Sequence, residues 1–173
     1  MSQSISLEDI SIRNEFKPGD MGYIIYLHGK LYHEEYNFGV MFEPYVAEGL
    51  IKLYNNYDPS LDKIWICEHN GRMVGTVFLV HIDMETTRLR YFLIDPEYRG
   101  IGLGKKLMSL SMDYFDKSTY TICDLWTTQE LRTAISLYKR FGFKLAEEKE
   151  TTTFGKAVCE QKYVLMKSAL SQS

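Results

Sequence analysis

Cysteine is scarce and odd in number: Cys67, Cys123 and Cys159 are the 3 thiols of the 173 residues. They stand far apart in strand-like apolar segments. That spacing argues against a disulfide framework or a thiolate metal site and for buried, reduced thiols. No metal is expected. Neither sign of charge dominates, since 20 Lys+Arg against 23 Asp+Glu leave a net −3. This balance argues against a general nucleic-acid binder or a binder of acidic membranes. No apolar run nears the ~18 residues of a membrane-crossing helix. The first residues, Met-Ser-Gln-Ser-Ile-Ser-Leu-Glu-Asp, lack the basic start and apolar core of a secretion signal. No repeat or low-complexity segment is present. Reduced thiols and the missing signal point to the cytoplasm. What remains is ordinary globular composition, 45% hydrophobic and 25% charged, in a chain long enough for one domain with a sizeable core.

The informative segment is Arg99-Gly-Ile-Gly-Leu-Gly-Lys-Lys106. It follows the apolar run Leu89–Ile94 and the punctuation Asp95-Pro96, and it opens a helix-like stretch, Gly104 to Phe115. A glycine-rich turn from strand to helix offers backbone N–H groups at a positive helix end, which suits phosphate. Two phosphate loops fail against it. A Walker loop requires Gly five residues before the Gly of Gly-Lys-[Ser/Thr], whereas Arg99 stands there and Lys106 follows Lys105. The dinucleotide pattern G-x-G-x-x-G meets Lys105 or Leu107 where its last Gly belongs. The pattern present is R-x-x-G-x-G, on Arg99, Gly102 and Gly104.

That pattern resembles the pyrophosphate-binding motif of the GNAT superfamily of N-acetyltransferases, which use acetyl-CoA. A second motif supports the resemblance. Within 120–143 a strand-like run precedes Ala134, Leu137, Tyr138 and Phe141 at helical spacing, then Gly142 and Phe143. Leu137-Tyr138, Gly142 and Phe143 match the superfamily's Leu-Tyr-x-x-x-Gly-Phe signature, and Gly142 suits a left-handed helix cap. The likeness covers roughly residues 62–167. It departs at Leu131, where many members carry Asn for a hydrogen bond to the pantetheine arm. Thr127 or Thr128 can take that place.

Read in order, the chain gives a strand over Ile5–Arg13 and a turn at Pro18-Gly19-Asp20, with Asp20 a helix cap. Helices follow over Met21–Tyr36 and Phe38–Tyr57, the second carrying Pro44 near its beginning. Strands are expected over Lys63–His69, Met73–Met84 and Thr86–Asp95, the first two joined by an Asn70-Gly71 hairpin. Helix, strand and helix come next, then strands over Phe143–Glu150 and Ala157–Lys167, and a polar tail at 168–173. The order fits a single α/β (α+β) domain, 1–173. In it, 1–60 holds the first strand and the acceptor-side helices, and 62–167 the cofactor core. The superfamily likeness implies a mixed, mostly antiparallel central sheet of about seven strands, helices on both faces, and splayed fourth and fifth strands.

The resemblance also implies roles. Arg99, Gly100, Gly102, Leu103, Gly104 and Lys105 would cradle the pyrophosphate, and glycine lets the backbone approach closely. A backbone N–H of Leu93-Ile94 would polarise the thioester carbonyl. Tyr138 matches the usual general acid for the leaving thiolate; an unperturbed phenol, with pKa about 10, is protonated at neutral pH. The general base is open. The strand before the phosphate turn has no carboxylate before Asp95, which is read as structural. His33, Glu34, Glu35 and Glu68 are candidates, Glu35 foremost, beside a water chain. The aromatic and acidic run Tyr23 to Tyr36 suits a cationic acceptor, either a small molecule or a peptide amine. This run, with Phe154-Gly155-Lys156 and Gln161, is similar to the acetyltransferase half of bacterial MarR-type regulator fusions, and these 173 residues leave no room for the DNA-binding helices. A homodimer is compatible with the sequence. The leading expectation is therefore an acetyl-CoA-dependent N-acetyltransferase acting by direct attack in a ternary complex. The alternative is a non-catalytic acyl-CoA-binding regulatory or sensor domain.

Overall fold

The structure, a computed structural model, describes residues 4–168. In chain order its elements are β1 (Ser11–Arg13), α1 (Asp20–Tyr36), α2 (Phe42–Asn55), β2 (Lys63–His69), β3 (Arg72–His81), β4 (Thr86–Ile94), α3 (Leu103–Lys117), β5 (Ile122–Thr128), α4 (Arg132–Arg140), β6 (Lys144–Thr151) and β7 (Val158–Met166). The described residues thus give the expected α/β fold, with seven strands and four helices. They divide into two compact units: one is Pro59–Thr121 with the segment up to Glu15, the other Phe16–Asp58 with 122–168. Among the described residues no helix is long and apolar enough to cross a membrane. The expected tail lies outside the described residues apart from Ser168.

In the first unit β1, β2, β3 and β4 pair in sequence, all antiparallel. Asn70 and Gly71 both take left-handed backbone (φ 51° and 76°), as a tight Asn-Gly hairpin requires. Burial alternates along β4, with Thr87, Leu89, Tyr91 and Leu93 inside. Helix α3 packs on β3 and β4, burying Leu103, Leu107, Met108, Ser111, Met112 and Phe115 at helical intervals. Cys67 is buried in β2.

In the second unit β7 pairs with both β5 and β6, antiparallel on each side. Cys123 and Cys159 are buried there, so all three thiols are free and inside, as expected. Helices α1 and α2 pack together over an aromatic cluster. Tyr32 stacks on Phe42 with ring centroids 4.6 Å apart, and Phe38 on Phe154 at 5.3 Å. The connection into α2 is drawn tight by the Gly39 N–H donating to the Phe154 carbonyl at 2.8 Å. Gly155 has φ +85°, and a Cβ there would lie 3.0 Å from Gly39 Cα. Gly155→Ala should therefore cost about 2–3 kcal/mol, combining left-handed strain with a backbone clash. Gly71→Ala, also left-handed but in open space, should cost only the strain, about 1 kcal/mol. Urea unfolding of the two variants checks this; equal losses would contradict it.

Four departures from the sequence expectation have a local cause. The first strand is only Ser11–Arg13, because Asp9 Oδ2 accepts from the Ser6 N–H at 2.8 Å and the Ser6 hydroxyl at 2.9 Å, coiling Leu7–Asp9 into a 3₁₀ turn. Asp20 does not cap α1. It is the first helical residue, its carboxylate accepting from the Lys17 N–H at 2.6 Å, and left-handed Gly19 holds the cap position. Helix α2 begins at Phe42, which puts Pro44 in its first turn, where the missing N–H costs nothing. Strand β3 stops at His81 rather than Met84, since Asp83 Oδ1 accepts from the Glu85 and Thr86 N–H groups to form the turn.

Candidate active site

In the first unit the cofactor-binding candidates occupy one continuous path. Strand β4 carries a bulge: Thr76 pairs with Leu93 and Phe78 with Arg90, so Tyr91 and Phe92 together oppose Val77. Tyr91 adopts φ 53°, rare for an aromatic residue. The Thr76 hydroxyl donates to the Tyr91 carbonyl at 2.6 Å and holds the bulge. Bulges re-aim a strand and concentrate beside active sites; this one lies immediately before Leu93-Ile94. The strand ends where the Asp95 N–H donates to the Val74 carbonyl at 2.9 Å. The Asp95 carboxylate accepts from the Glu97 N–H at 3.0 Å and from Arg72 Nη2 at 2.5 Å, a structural use as expected. Pro96–Tyr98 then forms a 3₁₀ turn, with buried Tyr98 hydrogen-bonded to His69 Nδ1 at 2.9 Å.

The turn that follows is built for close approach. Arg99 Nε donates to the Ile94 carbonyl at 3.1 Å. The Arg99 N–H donates to Pro96 at 3.3 Å, so the main-chain donors for a phosphate start at Gly100. Gly100 and Gly102 are left-handed (φ 80° and 90°), and no heavy atom lies within 4 Å of a Cβ built on either. Gly102 is the N-cap of α3. The first backward hydrogen bond of that helix is Lys106 N–H to the Gly102 carbonyl at 3.0 Å. Helix geometry thus leaves the N–H groups of Leu103, Gly104 and Lys105 without an intrahelical acceptor. Three main-chain donors at a positive helix end, reached through two glycines, fit a pyrophosphate.

In the second unit Tyr138 is buried in α4. The helix closes over it: the Tyr138 carbonyl accepts from the Phe141 and Phe143 N–H groups at 3.1 Å each, and Gly142 takes φ 94°. Burial, and then the neighbouring Tyr32 and Tyr36 phenols, hold the Tyr138 hydroxyl well above the usual tyrosine range. Tyr32 and Tyr36 meet edge to face, with ring centroids 5.5 Å apart. The Tyr36 carbonyl accepts from Lys156 Nζ at 2.6 Å, and Glu130 Oε1 accepts from the same ammonium, also at 2.6 Å. Thr127 and Thr128, at the end of β5, are buried with unpaired hydroxyls. Leu131, where the resemblance looked for Asn, takes the N-cap position of α4 without a side-chain bond.

The base candidates fall differently. Glu34 and Glu35 are exposed on the last turn of α1. His33 Nδ1 donates to the Phe38 carbonyl at 2.9 Å, a structural bond beyond that helix. Glu68 is ion-paired to Arg13 at 2.8 Å. Sequence reasoning missed the bulge, because the residue that bends there is Tyr91 rather than a glycine. It also missed the Glu130–Lys156 pair, whose members come from separate loops.

A bulged strand thus leads through an open glycine turn to a helix start whose main-chain donors suit a phosphate. The comparisons agree. Residues 60–145 match the family model described as "Acetyltransferase (GNAT) domain". Over 95 residues it is 36% identical to an uncharacterized N-acetyltransferase of Methanocaldococcus jannaschii, covering 51% of this chain and 41% of that protein. Over 109 residues it is 32% identical to the uncharacterized N-acetyltransferase YjgM of Escherichia coli, covering 54% and 64%. The chain thus spans less than two thirds of the length of these curated relatives. Among solved structures, an acetyltransferase from Streptococcus agalactiae superposes with TM-score 0.75 at 24% identity, over 93% of this chain and all of the other. A spermidine N-acetyltransferase from Vibrio cholerae, in complex with CoA and spermine, gives TM-score 0.67 at 19% identity, over 92% and 96%. These likenesses show the fold: the mixed, mostly antiparallel, seven-stranded GNAT fold.

Proposed function

We propose that the protein is an acetyl-CoA-dependent N-acetyltransferase that moves an acetyl group onto the primary amine of a small molecule, amino acid or peptide. The observation that carries this reading is the open left-handed pair Gly100 and Gly102 at the start of α3, directly after the bulged β4. When bound, acetyl-CoA supplies the thioester. Gly100, Gly102, Leu103, Gly104 and Lys105 hold the pyrophosphate through main-chain N–H groups. The Leu93-Ile94 segment, set by the bulge, offers a main-chain donor where negative charge builds on the carbonyl oxygen. Thr127 or Thr128 takes the pantetheine-side role of the missing Asn. Tyr138 gives its proton to the departing thiolate; its raised pKa keeps that proton in place at neutral pH. The spermine-bound relative supports an amine acceptor. The likeness of Phe154-Gly155-Lys156 and Gln161 to MarR-type fusions supports a bacterial setting.

Direct attack in a ternary complex is favoured over an acetyl-enzyme. The three thiols are buried, and burial pushes Cys67 up to about 12, so a reactive thiolate is disfavoured. Initial rates with both substrates varied should give intersecting lines. Parallel lines with an acetylated cysteine would overturn direct attack, and binding without turnover would favour the sensor reading.

Glu35 is the proposed base. If so, the double variant Glu34→Gln/Glu35→Gln should lose about 10²-fold in kcat, and its pH profile should lose the acid limb. If these carboxylates only attract the cation, the acceptor KM rises and kcat holds. Unchanged kinetics would return the segment to a solvated helix end.

A further inference from the structure

We propose that Glu130 anchors the ammonium of the acceptor, an inference that rests on the acetyltransferase reading above. Glu130 stands between the end of β5 and the start of α4, on the loop leading to the helix that carries Tyr138. Its carboxylate is used on one side only. Oε1 accepts from Lys156 Nζ at 2.6 Å, whereas Oε2 is buried and has no hydrogen-bond partner. An ionised carboxylate offers about four acceptor positions, and a buried oxygen with none filled on its side is costly to maintain without a ligand. A second, independent observation lies on the strand before it. Thr127 and Thr128 are only 8% and 5% exposed, and their hydroxyls have no partner. Buried polar side chains in native proteins are nearly always bonded, so with one of the two hydroxyls assigned to the pantetheine arm, the other asks for a further group.

The chemistry of that group follows from what the loop already holds. Lys156 presents a primary ammonium to Glu130 Oε1 and to the Tyr36 carbonyl, with the Phe38 ring 5.7 Å away. A carboxylate, a carbonyl and an aromatic face are therefore arranged for R–NH₃⁺, whose three donors need just such acceptors. The unpaired Oε2 has the lone pairs to accept from another group of the same kind. Lys156 partly offsets the carboxylate's charge and competes for it with any incoming ammonium.

The ion pair by itself is an ordinary structural feature, so the test separates the two roles by sign. Glu130→Gln and Lys156→Gln both break the same pair. If the pair is only structural, both move the kinetics in the same direction. If Glu130 anchors the acceptor, Glu130→Gln raises the acceptor KM by about tenfold or more, while Lys156→Gln leaves it unchanged or lowers it. The acetyl-CoA KM should stay within about twofold in both, and circular dichroism should confirm the fold. An acceptor KM unchanged in Glu130→Gln, or raised alike in both variants, overturns the anchor while wild-type transfer keeps the enzymatic reading intact. Failure of the wild type to acetylate any amine removes both.

Discussion

Gly102→Val should abolish acetyl-CoA binding in calorimetry, weakening it by about 100-fold or more, while the protein stays folded. Gly102 caps α3 with φ 90°, and no atom of the protein lies within 4 Å of a Cβ at that position. The space a side chain would enter is therefore open, at the helix start that carries the Leu103, Gly104 and Lys105 N–H groups. A branched side chain there blocks a phosphate from main-chain donors that cannot move out to meet it. Left-handed strain costs about 1–3 kcal/mol, which lowers Tm. The buried row Leu103, Leu107, Met108 and Phe115 still ties the helix to β3 and β4. Gly102→Ala should give a smaller loss of affinity with similar strain. Unchanged affinity in a folded Gly102→Val protein would remove the site.

The second large effect is expected at Tyr138. Tyr138→Phe keeps the ring in its buried place and removes only the hydroxyl. The turnover number should fall by about 10²-fold with little change in the acetyl-CoA KM. The direction of the pKa shift adds a pH signature. A phenol raised above its ordinary value of about 10 stays protonated through neutral and moderately alkaline pH. The wild-type rate should therefore show no loss from this group as pH rises toward 10. Stability follows the same sign. The native state holds this proton more tightly than the unfolded chain, so its contribution is full below the unfolded pKa and is lost as pH rises beyond it. Tyr138→Phe should soften that alkaline loss in unfolding measurements. A turnover number equal to wild type, measured where chemistry limits the rate, would refute the proton-donor role.

The parts of this picture that were legible in the sequence are those where one residue type does one physical job. Asn70-Gly71 can hardly be other than a tight hairpin, and Gly142 marks a left-handed helix end whose φ the structure gives as 94°. Strand context put the three cysteines inside. The illegible parts depend on competition between local and long-range bonds. Asp20 reads as a cap, yet its carboxylate turns back to Lys17 because Gly19 already supplies the helix entry. The bulge at Tyr91 has no local signal. It is imposed by the pairing of β3 with β4 and held by a hydroxyl 15 residues away in sequence. Glu130 reads as a loop carboxylate until Lys156, 26 residues later, is found against one of its oxygens. Arg99 shows the same limit in the phosphate turn: its position is plain from the motif, but its N–H is spent on Pro96.

The most direct test of the central claim is acetyl transfer by the unmodified protein. Acetyl-CoA would be incubated with the protein and a panel of polyamines, amino acids and short peptides. Free thiol and the mass of each amine would be followed together. The account predicts thiol release matched one for one by N-acetylated product from at least one primary amine, with neither signal when protein is omitted. Acetyl-CoA that binds tightly but keeps its thioester intact against every amine would contradict it.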